Sequence, residues 1–550
     1  MIYPKIPLAQ SILEICKAKG LQHIVISPGS RNAPLTIGFT NNPAFTCYSI
    51  ADERCAAFFA LGMAQQLHQP VALLCTSGSA LLNYYPAVAE AFYSQIPLVV
   101  ISADRPQNKI DIGDGQTIRQ ENVFANHSLY NANLTELASE ENDLKIQEAL
   151  FLAVAKKGPV HINTPFEEPL YETTDAVSVR PAFIDLYAPE KPKTNLESFV
   201  PQWNTAQKKL ILIGGCDPGF IQQAILDQLA NDDSVVVMTE VTSNMHHPNF
   251  ITNIDTIITP FTDEDFKKFQ PEMLITIGGM IVSKRIKAFL RKYKPLQHWH
   301  IDELRAYNTF DCLTQHFEMA PNAFFTEFLP LTSPIQSDYL QKALEIRGFR
   351  AQKHQEYLSG IVFSDLKVFE MLLRELPQSS QLQISNSSAI RYAQLFPIDK
   401  SIAVFCNRGT SGIDGSTSTA IGAAVASGKE TILITGDISF LYDSNALWNN
   451  YIPDTFKIIL VNNGGGGIFR ILPGHQQTET FTTYFETSHS LTAEHLAKMY
   501  HFQYTTANNA ASLASGLENL IQSEKPGILE VFTPTNVNDL LLLDYFKNLV

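Results

Sequence analysis

Paired cysteines are missing from this sequence. Its seven cysteines (Cys16, Cys47, Cys55, Cys75, Cys216, Cys312, Cys406) are odd in number, scattered and free of any CxxC spacing. That excludes a disulfide framework and a zinc ribbon, and it fits a reducing compartment. Long hydrophobic runs are missing too: no stretch approaches the roughly 20 apolar residues that span a bilayer. The N-terminal MIYPKIPLAQSILEICKAKG lacks the basic-then-apolar layout of a secretion signal. Basic charge is in short supply. With 40 Lys and Arg against 55 Asp and Glu the formal charge is −15, which repels phosphate backbones and anionic lipid at long range. These absences imply a soluble cytoplasmic protein with small-molecule ligands, no nucleic acid partner and no membrane.

What is present is length and a repeated α/β grammar. The 550 residues exceed what one hydrophobic core can hold, at about 150 residues per domain. Short β-branched runs recur, most of them ending in Gly, Ser, Asn or Asp and followed by a stretch of helical period. HIVISPGS, VALLCTSGS and IPLVVISADRP open the chain; KKLILIGG, SVVVMTE and MLITIGG follow; LQISNSS, IAVFCNRG, TILITGDIS, FKIILVNN and GILEVFT close it. The pattern predicts an α/β protein of three Rossmann-like domains with parallel sheets. A Pro-rich polar stretch near residues 172–200 and a weaker break near 328–340 divide the chain into 1–185, 186–335 and 336–550.

Two loops of the last third carry the chemistry. GDISFLYDSNAL begins at Gly436 and VNNGGGGIFRILP at Val461, each at the C-terminal end of an apolar strand, where open parallel sheets bind ligands. Asp437 and Asn463 lie 26 positions apart, room for one helix and one return strand, so both side chains can reach one ion. Mg²⁺ takes oxygen ligands, commonly one or two carboxylates plus substrate phosphates. Asp437 supplies charge, Asn463 a neutral carbonyl and Gly465 a backbone oxygen. The amides of Ile438 and Ser439, opening the next helix, suit a diphosphate. A run of glycines by itself reads only as a pliable turn.

The paired GD and NN motifs resemble those of the thiamine diphosphate enzymes, whose Asp, second Asn and a backbone carbonyl hold Mg²⁺ (or Mn²⁺) on the cofactor. The resemblance implies the thiamine diphosphate-binding fold and one buried glutamate that shares a proton with the pyrimidine ring. Glu53, in DERCAAFFALGMA, stands where that glutamate belongs; read alone, it is an ordinary acidic residue at a helix start. In this family one cofactor is enclosed by domains of two subunits, which implies a homodimer or a dimer of dimers.

Further segments cover nearly the whole chain: SPGSRNAPLT, TSGSALLNYYPAVAEA, ISADRP, DGQTIRQ, GPVHINTPFEEPLY and CNRGTSGIDGSTSTA. Together they resemble the 2-succinyl-5-enolpyruvyl-6-hydroxy-3-cyclohexene-1-carboxylate synthase family of menaquinone biosynthesis. That implies decarboxylation of 2-oxoglutarate and 1,4-addition to isochorismate. Both substrates are dicarboxylates, which guanidinium matches best. By the family's pattern Ser30, Arg31, Arg105, Gln116, Lys284 and Arg285 face the acceptor, while Ser387, Arg391 and Arg408 complete the anion-binding wall. Gln116 stands beside the reacting centre, and Arg119 is a further candidate cation. Gly409, Ser411, Ile413 and Gly436 line the cofactor with the residues above, and Ile468, Phe469 and Leu472 form an apolar wall. The rival within the class is an acetolactate synthase or another oxo-acid decarboxylase. A dehydrogenase is disfavoured by the lack of GxGxxG after a strand with a downstream acid.

Overall fold

A computed structural model describes residues 1–187, 194–471 and 478–550. Three parallel sheets carry it. In the first, the strands lie in the order Thr46–Ser49, His23–Ile26, Val71–Cys75, Leu98–Asp104, Val160–Pro165, Asn131–Asn133. In the last, the order is Ala403–Phe405, Gln381–Ile384, Thr431–Gly436, Phe456–Asn462, Gly527–Phe532, Gln503–Ala507. Numbered within each domain, both read 2-1-3-4-6-5. The middle sheet (Val235–Thr239, Lys209–Ile213, Met273–Ile277, Gln297–Ile301, Gln315–Phe317) reads 2-1-3-4-5. All three therefore reverse direction between their first and third strands, the switch point where doubly wound sheets leave a crevice for ligands.

The central strands are buried on both faces by helices, which is why Val71–Cys75 (VALLC) reads as an unbroken apolar run and Phe456–Asn462 (FKIILVN) as one broken only near its ends by Lys457 and Asn462. A short antiparallel pair, Tyr3–Pro4 with Thr173–Thr174, ties the chain's beginning to the end of the first domain. The outer domains dock through two helices, Glu53–Leu67 and Ser416–Ser427. Their crossing is close because Gly62 and Gly422 meet backbone directly: a Cβ on either would lie 2.0 Å from a carbonyl oxygen, of Thr419 or Phe59. The side chains of that seam belong to one apolar cluster that spans both domains. Among the described residues no helix is long and apolar enough to cross a membrane.

Candidate active site

The third domain's switch point holds a cavity of about 150 Å³, bordered by Ser387, Ile413, Asp437, Asn463, Gly465 and Phe469 among others. Strands Thr431–Gly436 and Phe456–Asn462 pair in parallel with Gly436 opposite Val461, so their ends deliver Asp437 and Asn463 side by side. Asp437 is 4% exposed. Its Oδ2 accepts from Gly464 N at 2.9 Å and Gly465 N at 3.0 Å, and Oδ1 accepts from Ile438 N at 2.7 Å. His489 Nε2 lies 3.4 Å from Oδ2. Burial raises the pKa of Asp437, as expected of a carboxylate held where a cation would lower it again.

The glycine run is not a free turn. Gly464 and Gly465 adopt φ of +78° and +149°, and a Cβ on Gly465 would sit 2.7 Å from the Glu486 carbonyl. Gly466 N donates to that same carbonyl at 2.6 Å, and His489 N donates to Gly464 O at 3.1 Å. Glu486 is in turn ion-paired to Arg470, both buried. The side chain of Asn463 presents its Nδ2 to Asp365; its Oδ1 accepts from no donor among the described residues. One buried carboxylate, one free amide oxygen and a glycine carbonyl form a hard, oxygen-only donor set, which fits Mg²⁺. No cluster of three His, Cys, Asp or Glu that would suit a softer metal exists among the described residues.

Cations gather beside this cavity. Arg408 donates from Nη1 to Asn386 Oδ1 at 2.6 Å and Arg391 from Nη1 to Ser387 O at 3.2 Å, and both Asn386 and Ser387 border the cavity. The middle domain contributes helix Lys284–Lys292, whose start is pinned by the buried Glu240 and the part-buried Asp255. Glu240 accepts from the backbone N–H groups of Val282 and Ser283, and Ser283 Oγ bonds Asp255. Asp255 lies within electrostatic reach of both Arg285 and Arg391, and Glu240 within reach of Arg408. Burial pushes Glu240 up to about 7. Arg285 stacks 4.6 Å over Phe546 of the third domain. Gly436, Ile438, Ser439 and Ile468 line the cavity. Gly409 and Ser411 do not: Glu90 of the first domain holds Gly409 N at 2.7 Å, and Gly409 borders, together with Arg408, a separate cavity of about 550 Å³ at the middle sheet's switch point. Leu472 lies outside the described residues.

The first domain gathers its own set at the matching edge. Arg31, 3% exposed, donates to Phe166 O and to Glu168 Oε1, both at 3.0 Å, and Arg105 Nη1 lies 3.8 Å from the same carboxylate oxygen. The Nε atoms of both arginines are buried without a partner. Ser77 Oγ donates to Gln116 O at 2.9 Å, which fixes Gln116 at φ +57°. Ser30 and Gln116 are exposed. Asp52 caps the helix that begins at Glu53 through Cys55 N, and partial burial raises the Glu53 carboxyl. Arg119 stands apart, exposed and paired with Asp111 at 2.8 Å.

Sequence reasoning missed Asp365, Glu90, Glu168, Glu240 and Asp255. Each is an acid that backs a loop or a cation. Glu90 and Glu168 lie inside segments that carry the resemblance, TSGSALLNYYPAVAEA and GPVHINTPFEEPLY, yet were given no role. Asp365, Glu240 and Asp255 lie in no recognisable motif, and an acid at a helix start such as Asp365 is the commonest harmless placement.

Comparison with known proteins matches that layout. A family profile described as the thiamine pyrophosphate enzyme N-terminal TPP binding domain matches residues 6–128. The middle domain of thiamine pyrophosphate enzymes matches 190–384 and the C-terminal TPP binding domain 387–531. A protein of Flavobacterium psychrophilum named 2-succinyl-5-enolpyruvyl-6-hydroxy-3-cyclohexene-1-carboxylate synthase is 76% identical over 549 residues, covering 100% of both chains. Proteins of the same name from Flavobacterium johnsoniae and Christiangramia forsetii are 68% and 52% identical, covering 100% of this chain and 100% and 99% of theirs. On identity of this extent from end to end, the chain belongs to the 2-succinyl-5-enolpyruvyl-6-hydroxy-3-cyclohexene-1-carboxylate synthase family of thiamine pyrophosphate enzymes.

Proposed function

We propose that the protein is a cytoplasmic transferase that uses thiamine diphosphate and Mg²⁺, or Mn²⁺ in its place. It decarboxylates 2-oxoglutarate and adds the remaining four-carbon unit to isochorismate by 1,4-addition, a step of menaquinone biosynthesis. The observation that carries the reading is the juxtaposition of Asp437, Asn463 and Gly465 on a cavity flanked by Arg391 and Arg408. When bound, the cofactor supplies a carbon nucleophile and an electron sink for decarboxylation.

The chain's own residues do the rest. Asp437, Asn463 Oδ1 and the Gly465 carbonyl would hold the ion, and the amides of Ile438 and Ser439 would bind the diphosphate, that of Ile438 by releasing or sharing its bond to Asp437 Oδ1. Glu53, its carboxyl already raised by burial, would hold a proton at a pyrimidine nitrogen, and burial against a second chain would raise it further. Arg391, Arg408, Lys284 and Arg285 on one side, with Arg31, Arg105, Ser30 and Gln116 on the other, would orient two dicarboxylates. Ile468 and Phe469 would keep water from the reacting carbons. The cavity around Asp437 is lined by third-domain residues alone, which supports a homodimer in which Glu53 of a second chain completes each site.

The test is an assay of CO₂ release and isochorismate loss with 2-oxoglutarate or pyruvate, with and without thiamine diphosphate and Mg²⁺. Turnover is expected only with 2-oxoglutarate and both cofactors; equal turnover with pyruvate would sink the assignment in favour of an acetolactate synthase-type enzyme. Glu53→Gln should lose at least a hundredfold in kcat while calorimetry still shows cofactor binding. Unchanged turnover would mean that another group activates the ring.

A further inference from the structure

Asn463 poses a choice that a carboxylate ligand does not. A carboxamide has an oxygen on one side and an NH₂ on the other. Only the oxygen can ligate a hard cation; rotated by half a turn, the same side chain aims two N–H bonds at the metal. Something must select one orientation, and the neighbour on the far side of the amide is Asp365.

Asp365 is 2% exposed and occupies the first position of helix Asp365–Glu375. Its Oδ2 accepts from Asn463 Nδ2 at 2.9 Å. The carboxylate is itself immobilised: Oδ1 accepts from Thr533 Oγ1 at 2.5 Å, and the Asp365 backbone N donates to Asn538 Oδ1 at 2.8 Å. The backbone of Asn463 is held independently by Thr535 Oγ1, which donates to its carbonyl at 2.7 Å. With its carbonyl and amide nitrogen both tied, the side-chain atom of Asn463 left without a bond among the described residues is Oδ1. An ionised carboxylate can only accept, so the flipped amide would set oxygen against oxygen at this contact.

We propose that Asp365 is a positioning residue for the divalent cation: by taking the Asn463 N–H it turns the amide oxygen toward the metal, and it adds a buried negative charge without occupying a coordination position. The role is the one played by carboxylates behind metal-bound histidines, whose loss commonly weakens metal binding about 10- to 100-fold. The inference rests on the reading that Asp437, Asn463 and Gly465 hold Mg²⁺.

The experiment is calorimetric titration of Mg²⁺ into the full-length protein at saturating thiamine diphosphate, with thermal unfolding of each metal-free variant as the check on folding. Asp365→Ala is expected to bind Mg²⁺ at least about tenfold more weakly. Asn463→Asp alone, which faces two carboxylates together, should also bind weakly. The exchanged pair Asp365→Asn with Asn463→Asp restores one N–H between two oxygens and should recover most of the affinity, which a merely structural role for Asp365 would not produce. The pair also serves if Asp365→Ala does not fold. Mg²⁺ affinity within twofold of the parent in Asp365→Ala, or an exchanged pair no tighter than Asn463→Asp, overturns the inference. Undiminished affinity in Asn463→Ala and Asp437→Ala would instead overturn the metal reading on which it stands.

Discussion

Ser387 holds φ +69° and ψ −126°, a region that glycine enters freely and other residues enter at a cost of about 1–3 kcal/mol. Gln116 and Ser411 are also at positive φ, +57° and +60°, so three of the residues assigned to ligands carry backbone strain. Strain kept at such positions trades stability for a fixed side-chain direction. Ser387→Gly should therefore be more stable than Ser387→Ala by about 1 kcal/mol in denaturant unfolding, with both raising the KM for the acceptor. Equal stability of the two would show that the backbone is not strained. Glu240 makes a second residue-level case. Its carboxyl is raised from 4.5 to about 7 by burial, so the folded state binds its proton more tightly than the unfolded chain does. The stability this adds is complete below about pH 4.5 and is lost as pH rises through 7, an upper bound of about 3 kcal/mol. Glu240→Gln should remove that slope. The difference in unfolding temperature between parent and variant should shift against the parent from pH 5 to pH 8, and a pH-independent difference would contradict it. Neither residue's behaviour was legible beforehand, because φ and burial belong to the tertiary structure and not to the motif.

At the scale of elements, the seam between helices Glu53–Leu67 and Ser416–Ser427 sets how the outer domains sit. Because Gly62 and Gly422 each meet a backbone carbonyl, neither neighbour can yield as a side-chain tip would, and a methyl must push the helices apart. Gly62→Ala and Gly422→Ala should each cost about 1–3 kcal/mol or more, read as a lowered unfolding midpoint. The double variant should cost less than the sum, since one displacement relieves both clashes. Simple additivity would mean the two clashes relax separately. The same elements show what a sequence can convey. Strands buried on both faces, such as Leu98–Asp104 and Met273–Ile277, announce themselves as apolar runs. Exposed edge strands do not: Thr46–Ser49 (TCYS) and Gln503–Ala507 (QYTTA) are largely in water and carry mixed residues, whereas the covered edge strand Val235–Thr239 (VVVMT) was readable. Gln297–Ile301 (QHWHI) went unread for a like reason, its buried His298 bonded to Thr276. That Asp437 and Asn463 would lie side by side was legible because each sits in a motif at a strand's end; Glu53 stands at a helix start as expected, away from that cavity's wall. Strand order was not, since the crossovers that fix it leave no local trace.

At the scale of the molecule, the three domains of one chain are knit together by specific bonds. Glu90 of the first domain grips Gly409 and Thr410 of the third, Asn244 of the middle domain exchanges two bonds with Val404, and Asp443 receives both Ser418 and Cys55. Asp52 and Arg54, on either side of Glu53, are tied to Asn445 and Tyr442. These bonds hold Glu53 in one place relative to its own third domain, and that place is not on the wall of the Asp437 cavity. On the proposed reading, in which a cofactor gripped at Asp437 takes its glutamate from a second chain, a consequence follows that no single-chain site shares. A protein carrying Glu53→Gln lacks one half of every site, and one carrying Asp437→Ala lacks the other. In a two-fold dimer that contains one of each, one site inherits both defects and the other inherits neither. Random reassortment of equal amounts should therefore recover about a quarter of the parent activity, half the dimers being mixed with one intact site of two. The measurement is turnover after co-expression of differently tagged chains and isolation of the mixed species, which should show about half the parent rate per dimer. Mixed dimers no more active than either inactive parent would mean that each site is completed within one chain.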